Sequence, residues 1–102
     1  MIYLDNAATT TPDPRVIEAM KNVLDEIPGN PSSIHAFGRK ARSIIETSRK
    51  KVAAILGTSP SEIFFTSGGT ESDNAFIKGM VIARNVKHII TTRLEHHAVL
   101  HA

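Results

Sequence analysis

The stretch Phe64-Phe65-Thr66-Ser67-Gly68-Gly69-Thr70-Glu71-Ser72-Asp73-Asn74 runs from an apolar pair, through two glycines, into the predicted start of a helix. A strand that turns on glycines into a helix N-terminus points backbone N–H groups and the positive end of the helix dipole at one spot, which favours an anion such as phosphate. Glycine pairs also mark strand-to-helix turns that bind nothing, so the spacing alone leaves both interpretations open. The sequence has neither the Walker pattern nor Gly-x-Gly-x-x-Gly, so a phosphate here would belong to other chemistry.

The segments around this stretch predict a parallel α/β unit. Ile63–Thr66 and His88–Thr92 are short apolar runs typical of buried strands, and Thr70–Arg84 between them has the pattern of a helix. A strand, a helix and a second strand in this order form a right-handed parallel unit, so the predicted fold class is α/β. Because ligands gather at the carboxyl ends of parallel strands, we expect Gly68–Thr70 and Glu95–His97 to lie side by side.

Two further helices are predicted ahead of this unit. Asp13 is placed to cap a helix that begins at Pro14 and stops at Pro28-Gly29, and a second helix runs from about Phe37 to Gly57. Tyr3 and Leu4 indicate a short extended arm, and the residues from Asn6 to Thr11 are too small and polar to form a packed core element. We therefore expect residues 1–12 to form an N-terminal arm and residues 13–102 to form the start of a larger domain whose sheet is incomplete.

Composition and charge argue against nucleic-acid and membrane partners and against cysteine chemistry. The net charge is +2, and the Lys and Arg residues between Arg39 and Lys51 are interrupted by Glu46, which indicates a solvated helix face rather than a nucleic-acid surface. The sequence shows no signal-peptide pattern and no apolar run of membrane-spanning length, so we expect a cytoplasmic protein with no membrane partner. It contains no cysteine, which excludes disulfides and thiolate chemistry within these residues.

Four motifs occur in the order found in a known family. The sequence resembles the cysteine desulfurases of the NifS and IscS type, which depend on pyridoxal 5'-phosphate (PLP) and belong to the class V aminotransferases among the fold-type I PLP enzymes. The motifs are Tyr3-Leu4-Asp5-Asn6-Ala7-Ala8-Thr9-Thr10, then Gly29-Asn30-Pro31-Ser32-Ser33 with His35 and Gly38, then Phe65-Thr66-Ser67-Gly68-Gly69-Thr70-Glu71-Ser72-Asp73-Asn74, and His88-Ile89-Ile90-Thr91-Thr92 followed by Glu95-His96. Residues 13–102 would then begin the PLP-binding large domain.

The resemblance implies roles for three residues. Gly69 and Thr70 would grip the phosphate of PLP, and His96 would lie flat against the pyridine ring and help to move protons as a catalytic residue. Many relatives have alanine where Gly69 stands, which keeps the backbone N–H. Taken without the family, Thr70 could simply cap its helix, with Asp73 nearby, and a histidine at a strand end such as His96 is more often only a surface residue.

The resemblance also implies a reaction and its partners. Enzymes of this family remove sulfur from L-cysteine, which gives L-alanine and an enzyme persulfide for iron–sulfur cluster assembly or tRNA thiolation. We therefore expect L-cysteine as substrate, a sulfur-acceptor protein such as an iron–sulfur scaffold as partner, and a homodimer. The alternatives are a sister class V PLP enzyme similar to selenocysteine lyase, and a non-catalytic interaction fragment.

Parts of the family's machinery have no counterpart in these residues. The family needs a lysine that binds PLP as a Schiff base, an aspartate that pairs with the pyridine nitrogen and a mobile cysteine, and none of these can be assigned here. We therefore expect the chain to be the N-terminal portion of such an enzyme. In that enzyme it would bind the phosphate of PLP and stack a side chain on the pyridine ring. Activity of this portion by itself is not expected.

Two other histidine patterns carry weaker hypotheses. His97 and His101 are four residues apart, a spacing that sometimes binds zinc, but two ligands without a thiolate do not make a site, and we predict no metal. His35, in the Asn-Pro-Ser-Ser loop, would either approach an active site across a dimer interface, as similar loops do in relatives, or brace its own loop by a hydrogen bond.

Overall fold

A computed structural model describes residues 2–102 of the chain. The elements in chain order are α1 (Pro14–Glu26), α2 (Ala36–Leu56), a 3-10 turn (Pro60–Glu62), α3 (Gly69–Arg84) and the one-turn helix α4 (His97–Leu100). They fall into two compact units, a first that ends at Glu62 and a second from Ile63 to Ala102. The predicted helices in the first half and the predicted helix from Thr70 to Arg84 are confirmed.

Helix α1 begins where the sequence predicts it. The Asp13 side chain accepts a hydrogen bond from the Arg15 backbone N–H at 2.8 Å, and Pro14 occupies the first turn, where its missing N–H costs nothing. The Arg15 guanidinium also pairs with the Asp13 carboxylate at 2.9 Å, and these hydrogen bonds lower the pKa of Asp13. The helix ends at Glu26, immediately before the Ile27-Pro28 step.

Helix α2 is held at both ends by local contacts. At its start His35 is the N-cap, and at its end Gly57 adopts the left-handed conformation with φ of 66°. The Glu62 carboxylate then accepts hydrogen bonds from the Ser59 N–H at 2.9 Å and from the Thr58 hydroxyl, which fastens the 3-10 turn to the end of α2. The same two hydrogen bonds lower the pKa of Glu62.

The loop before α2 is packed tightly against the first turn of that helix. Ser33 N–H donates to the Asn30 carbonyl at 2.9 Å, which closes a turn over Gly38. A Cβ added at Gly38 would lie 2.3 Å from the Ser33 carbonyl oxygen, and one added at Gly29 would lie 2.2 Å from the Phe37 carbonyl oxygen. These two glycines are therefore required by space rather than by backbone conformation.

The predicted strands are not present as strands. Within residues 2–102 no β-strand is formed, and the segments Ile63–Thr66 and His88–Thr92 are irregular. A strand exists through its ladder of hydrogen bonds to a neighbouring strand, and apolar sequence alone does not supply that neighbour. The prediction of two adjacent parallel strands is therefore not supported by the structure of these residues, although the helix between them is.

The buried core is small. Among the described residues the buried hydrophobic side chains are Ala41, Ala53 and Ala98. Large apolar side chains remain exposed, including Phe64 at 81% and Ile90 at 100%. An open groove of about 660 Å³ between α1 and α2 is lined mainly by apolar side chains, among them Val16, Met20, Val23, Leu24 and Ile44. None of the described helices is both long and apolar enough to cross a membrane.

Candidate functional site

The N-terminus of α3 is open. Its N-cap is Gly68, which offers no side-chain hydrogen bond, and the first bond of the helical ladder runs from Ser72 N–H to the Gly68 carbonyl at 3.1 Å. The N–H groups of the first turn have no acceptor within their own helix, as at any helix start. A Cβ added at Gly68 or Gly69 would meet no atom within 4 Å. The helix start that contains Gly69 and Thr70 therefore has donors and room for an oxyanion.

Thr70 is not the cap of this helix. The sequence left open that Thr70 merely caps a helix, but the capping position belongs to Gly68, and α3 begins at Gly69. Thr70 is exposed and lies in the first turn. Its hydroxyl is thus on the same turn as the first N–H groups of α3, where it can add a hydrogen bond to a bound anion.

Side chains of α3 brace the loop that precedes it. One carboxylate oxygen of Glu71 accepts hydrogen bonds from both the N–H and the hydroxyl of Ser67, each at 2.7 Å. The Thr66 hydroxyl donates to the Gly68 carbonyl at 3.2 Å and lies 2.6 Å from the Ser72 hydroxyl. These bonds hold the turn at Gly68 in shape and leave the first-turn N–H groups of α3 uncovered.

Glu71 makes this turn sensitive to acid. The Ser67 hydroxyl, and secondly the Ser67 N–H, stabilise the carboxylate and lower the pKa of Glu71 from its ordinary value of 4.5. Because the folded-state pKa lies below the unfolded one, the bracing is fully present above about pH 4.5 and is lost as the pH falls through the folded-state pKa. The Ser67 amide resonance in a ¹⁵N NMR titration should therefore move with a midpoint below 4.5.

A matched pair of variants checks this assignment. Glu71→Gln should abolish the acid titration of the Ser67 amide, because the neutral amide does not ionise. Glu18→Gln, at an exposed position on α1, should leave that titration unchanged. A Ser67 titration that persists in Glu71→Gln, or whose midpoint is at or above the ordinary glutamate value, would show that the bracing does not depend on this carboxylate.

His96 is the N-cap of α4. Its Nδ1 accepts a hydrogen bond from the Ala98 N–H at 3.1 Å, so a neutral His96 ring carries its proton on Nε2. The residue itself is exposed. The imidazole is therefore fixed through Nδ1, while Nε2 carries a hydrogen that it can donate.

Asn74 connects the two predicted parts of the site. Its side-chain N–H groups donate to the Thr70 carbonyl at 2.9 Å and to the Ala98 carbonyl at 3.3 Å. Helices α3 and α4 pack against each other within the second unit. In the sequence Asn74 stands out only as the last residue of the glycine motif, although its position four residues after Thr70 places it on the same face of the helix.

Three other histidines, His35, His97 and His101, have local partners. His35 Nδ1 accepts a hydrogen bond from the Gly38 N–H at 3.4 Å, which is the loop-bracing alternative, whereas its approach to a site across a dimer interface stays a prediction. The His97 and His101 rings stack with centroids 5.5 Å apart. Over the described range, 2–102, no group of three or more His, Cys, Asp or Glu side chains is arranged to hold a metal ion.

The sequence matches one family model over nearly its whole length. The model described as aminotransferase class-V matches residues 2–102. Among curated proteins, the chain is similar to cysteine desulfurase IscS of Dictyoglomus turgidum, with 56% identity over 101 residues that cover 97% of this chain and 26% of that protein. It is also similar to the putative cysteine desulfurase IscS 1 of Bacillus subtilis, with 53% identity over 98% of this chain and 27% of that protein.

A solved structure shows the same relationship. A NifS-like protein superposes on this chain with a TM-score of 0.89 and 48% sequence identity, covering 98% of this chain and 28% of the other. At this identity the similarity extends beyond general fold. The chain spans about a quarter of the length of the relatives it matches.

Proposed function

Because this chain belongs to the class V aminotransferase family, we propose that it acts as the N-terminal portion of a PLP-dependent cysteine desulfurase. The proposed reaction removes sulfur from L-cysteine and gives L-alanine and a persulfide on the complete enzyme. The chain's own contribution is half of a PLP site. The observation that carries this proposal is the open, uncapped start of α3 in the same unit as an anchored imidazole.

The residues at the start of α3 fit the phosphate of PLP. Gly69 and Thr70 would bind it through their backbone N–H groups and the Thr70 hydroxyl, with the helix dipole adding to the attraction. The open space above Gly68 and Gly69 supports this fit, since a side chain or a neighbouring loop there would exclude an oxyanion. When bound, PLP withdraws electrons from the carbon next to the substrate amino group.

His96 is proposed to hold the pyridine ring and to serve as a catalytic residue. Its Nδ1 accepts the Ala98 N–H, which sets the plane of the imidazole and leaves the Nε2–H as the group that can donate a proton. A ring fixed in this way can stack on a planar cofactor without losing further rotational freedom on binding. This supports one residue in both roles.

The remaining features of the proposal concern the complete protein. Residues 1–12 would form an arm and residues 13–102 the start of the large domain, with Ile63–Thr66 and His88–Thr92 becoming parallel strands once neighbouring strands pair with them. Exposed apolar residues in the two segments, Phe64 in the first and Ile90 in the second, support this, because a sheet and its flanking helices would cover them. We further propose a cytoplasmic homodimer that passes sulfur to an acceptor protein such as an iron–sulfur scaffold, or into tRNA thiolation.

A chimeric enzyme tests the proposed function. Residues 1–102 would replace the matching N-terminal quarter of the Dictyoglomus turgidum relative, and sulfide and alanine would be measured after addition of L-cysteine and PLP. We expect turnover within about tenfold of the parent, because the phosphate and ring contacts are retained and hydrophobic repacking at the junction costs about 1 kcal/mol. The same chimera with His96→Ala should lose most of that turnover.

Other outcomes point to other functions. A folded chimera that binds PLP but yields neither sulfide nor alanine would contradict the proposed function. The purified 102-residue chain alone should produce no sulfide, since it contains no cysteine to carry a persulfide. The exposed apolar groove between α1 and α2 favours an interaction fragment as the second candidate, and an inactive chimera would leave that candidate standing.

A further inference from the structure

The one-turn helix that follows His96 cannot hold its own position. Helix α4 comprises four residues, His97–Leu100, which is far below the length at which a helix is stable by itself. Its placement must therefore come from its contacts with the rest of the second unit. Ala98, at 6% exposed, is the buried residue of this helix, and α3 is the element it packs against.

Ala98 is held by a side chain on each of its backbone polar groups. Its N–H donates to His96 Nδ1 at 3.1 Å, and its carbonyl accepts from Asn74 Nδ2 at 3.3 Å. The same Asn74 nitrogen donates to the Thr70 carbonyl at 2.9 Å, so both hydrogens of the amide are used. An unbroken series of hydrogen bonds thus runs from Thr70 through Asn74 and Ala98 to the imidazole of His96.

We propose that Asn74 is a positioning residue, whose side-chain amide ties the turn carrying His96 to the first turn of α3 and so sets the imidazole relative to the phosphate-binding N–H groups. This inference rests on the proposed function of the same site. Asn74 is only partly exposed, and it occupies a mid-helix position where asparagine is a weaker helix former than alanine or glutamine. The two carbonyl contacts explain what this side chain does there.

The chemistry of the contacts identifies the substitutions that test them. Asn74→Asp keeps the shape of the side chain but places carboxylate oxygens against two carbonyl oxygens, which removes both donors. Asn74→Leu removes the donors without adding charge. Asn22→Asp, at an exposed position on α1 in the first unit, is the matched control for the charge change.

Three measurements on the complete gene product separate positioning from simple structural support. We expect Asn74→Asp to raise amide hydrogen exchange in residues 97–101 about tenfold, the equivalent of one lost hydrogen bond. We also expect its dissociation constant for PLP to rise about tenfold, because the His96 imidazole would no longer be held in place to stack on the pyridine ring. Its dissociation constant for inorganic phosphate, followed by the Gly69 and Thr70 amide resonances, should change less than about twofold, since α3 keeps its open start. Asn74→Leu should behave similarly, and Asn22→Asp should change none of these quantities.

Three results would overturn the role of Asn74. Unchanged exchange and unchanged PLP affinity would show that the tie to Ala98 is not made. Faster exchange with unchanged PLP affinity would reduce Asn74 to a structural contact. Equal losses of phosphate and PLP affinity would mean that the substitution damages α3 itself.

Failure of the proposed function can be told apart from failure of the role of Asn74. If the unsubstituted protein binds no PLP, the proposed function fails, and the positioning role fails with it. If the unsubstituted protein binds PLP and Asn74→Asp binds it equally well, only the role of Asn74 is contradicted.

Discussion

Gly38→Ala is expected to destabilise the first unit by about 3 kcal/mol, since overpacking against backbone is among the costlier single substitutions. The added Cβ would lie 2.3 Å from the Ser33 carbonyl oxygen and 2.7 Å from the Asn30 carbonyl oxygen. Both are backbone atoms of a turn closed by the Ser33-to-Asn30 hydrogen bond, so neither can rotate away as a side chain would. Gly38 is also buried, and relief would require the whole loop to lift from α2.

Hydrogen exchange read separately in α2 and α3 measures this effect. Exchange in the first turns of α2 should accelerate strongly in Gly38→Ala, while α3, in the second unit, serves as an internal reference. Gly79→Ala is the matched control, because a Cβ at this α3 position meets no atom within 4 Å. It should stabilise α3 by about 0.5–1 kcal/mol through helix propensity. Unchanged exchange at the start of α2 in Gly38→Ala would show that the loop is not packed as described.

Thr70→Ala is expected to weaken PLP binding by about 10- to 100-fold, because a hydrogen bond to a charged phosphate contributes about 1.5–3 kcal/mol. Thr70 is exposed on the first turn of α3 and is not the helix cap, so its loss should leave the helix intact. The dissociation constant for PLP, measured by absorbance or fluorescence titration of the complete gene product, reports the effect. Far-UV circular dichroism should be unchanged.

Two companion variants show which atom of this turn matters. Thr70→Ser keeps the hydroxyl and should recover most of the PLP affinity. Gly69→Ala keeps the backbone N–H, and its Cβ enters open space, so its affinity should stay within about twofold of the unsubstituted protein. Equal affinity of Thr70→Ala and the unsubstituted protein, with Gly69→Ala impaired, would move the phosphate away from the Thr70 hydroxyl.

The helices are the part of the structure that the sequence predicts well, and the reason is local. Asp13 before Pro14 supplies a cap and a preset first turn, and Gly57 supplies the left-handed residue that ends α2. Each signal acts within a few residues of the helix end it determines. The turn at Gly68 is predicted locally by its glycine pair, whereas the sequence leaves open whether Thr70 is the helix cap, and the structure gives that position to Gly68.

The absence of strands and the side-chain hydrogen bonds of the site could not be predicted in this way. The apolar runs Ile63–Thr66 and His88–Thr92 predict strands, but pairing depends on partners that these residues do not supply, and no strand forms within 2–102. The bond from Glu71 to Ser67 and the two bonds of Asn74 are choices among several nearby acceptors. No periodicity encodes such choices, so only the three-dimensional arrangement reveals that Asn74 joins the Thr70 turn to the Ala98 turn.

The most direct test is a ¹⁵N NMR titration of the complete gene product with PLP and, in parallel, with inorganic phosphate. We expect both ligands to shift the Gly69 and Thr70 amides, and PLP alone to move the His96 ring protons upfield, as stacking on an aromatic ring requires. Shifts scattered over other residues with Gly69, Thr70 and His96 unmoved would contradict the assignment of this helix start and imidazole as half of a PLP site.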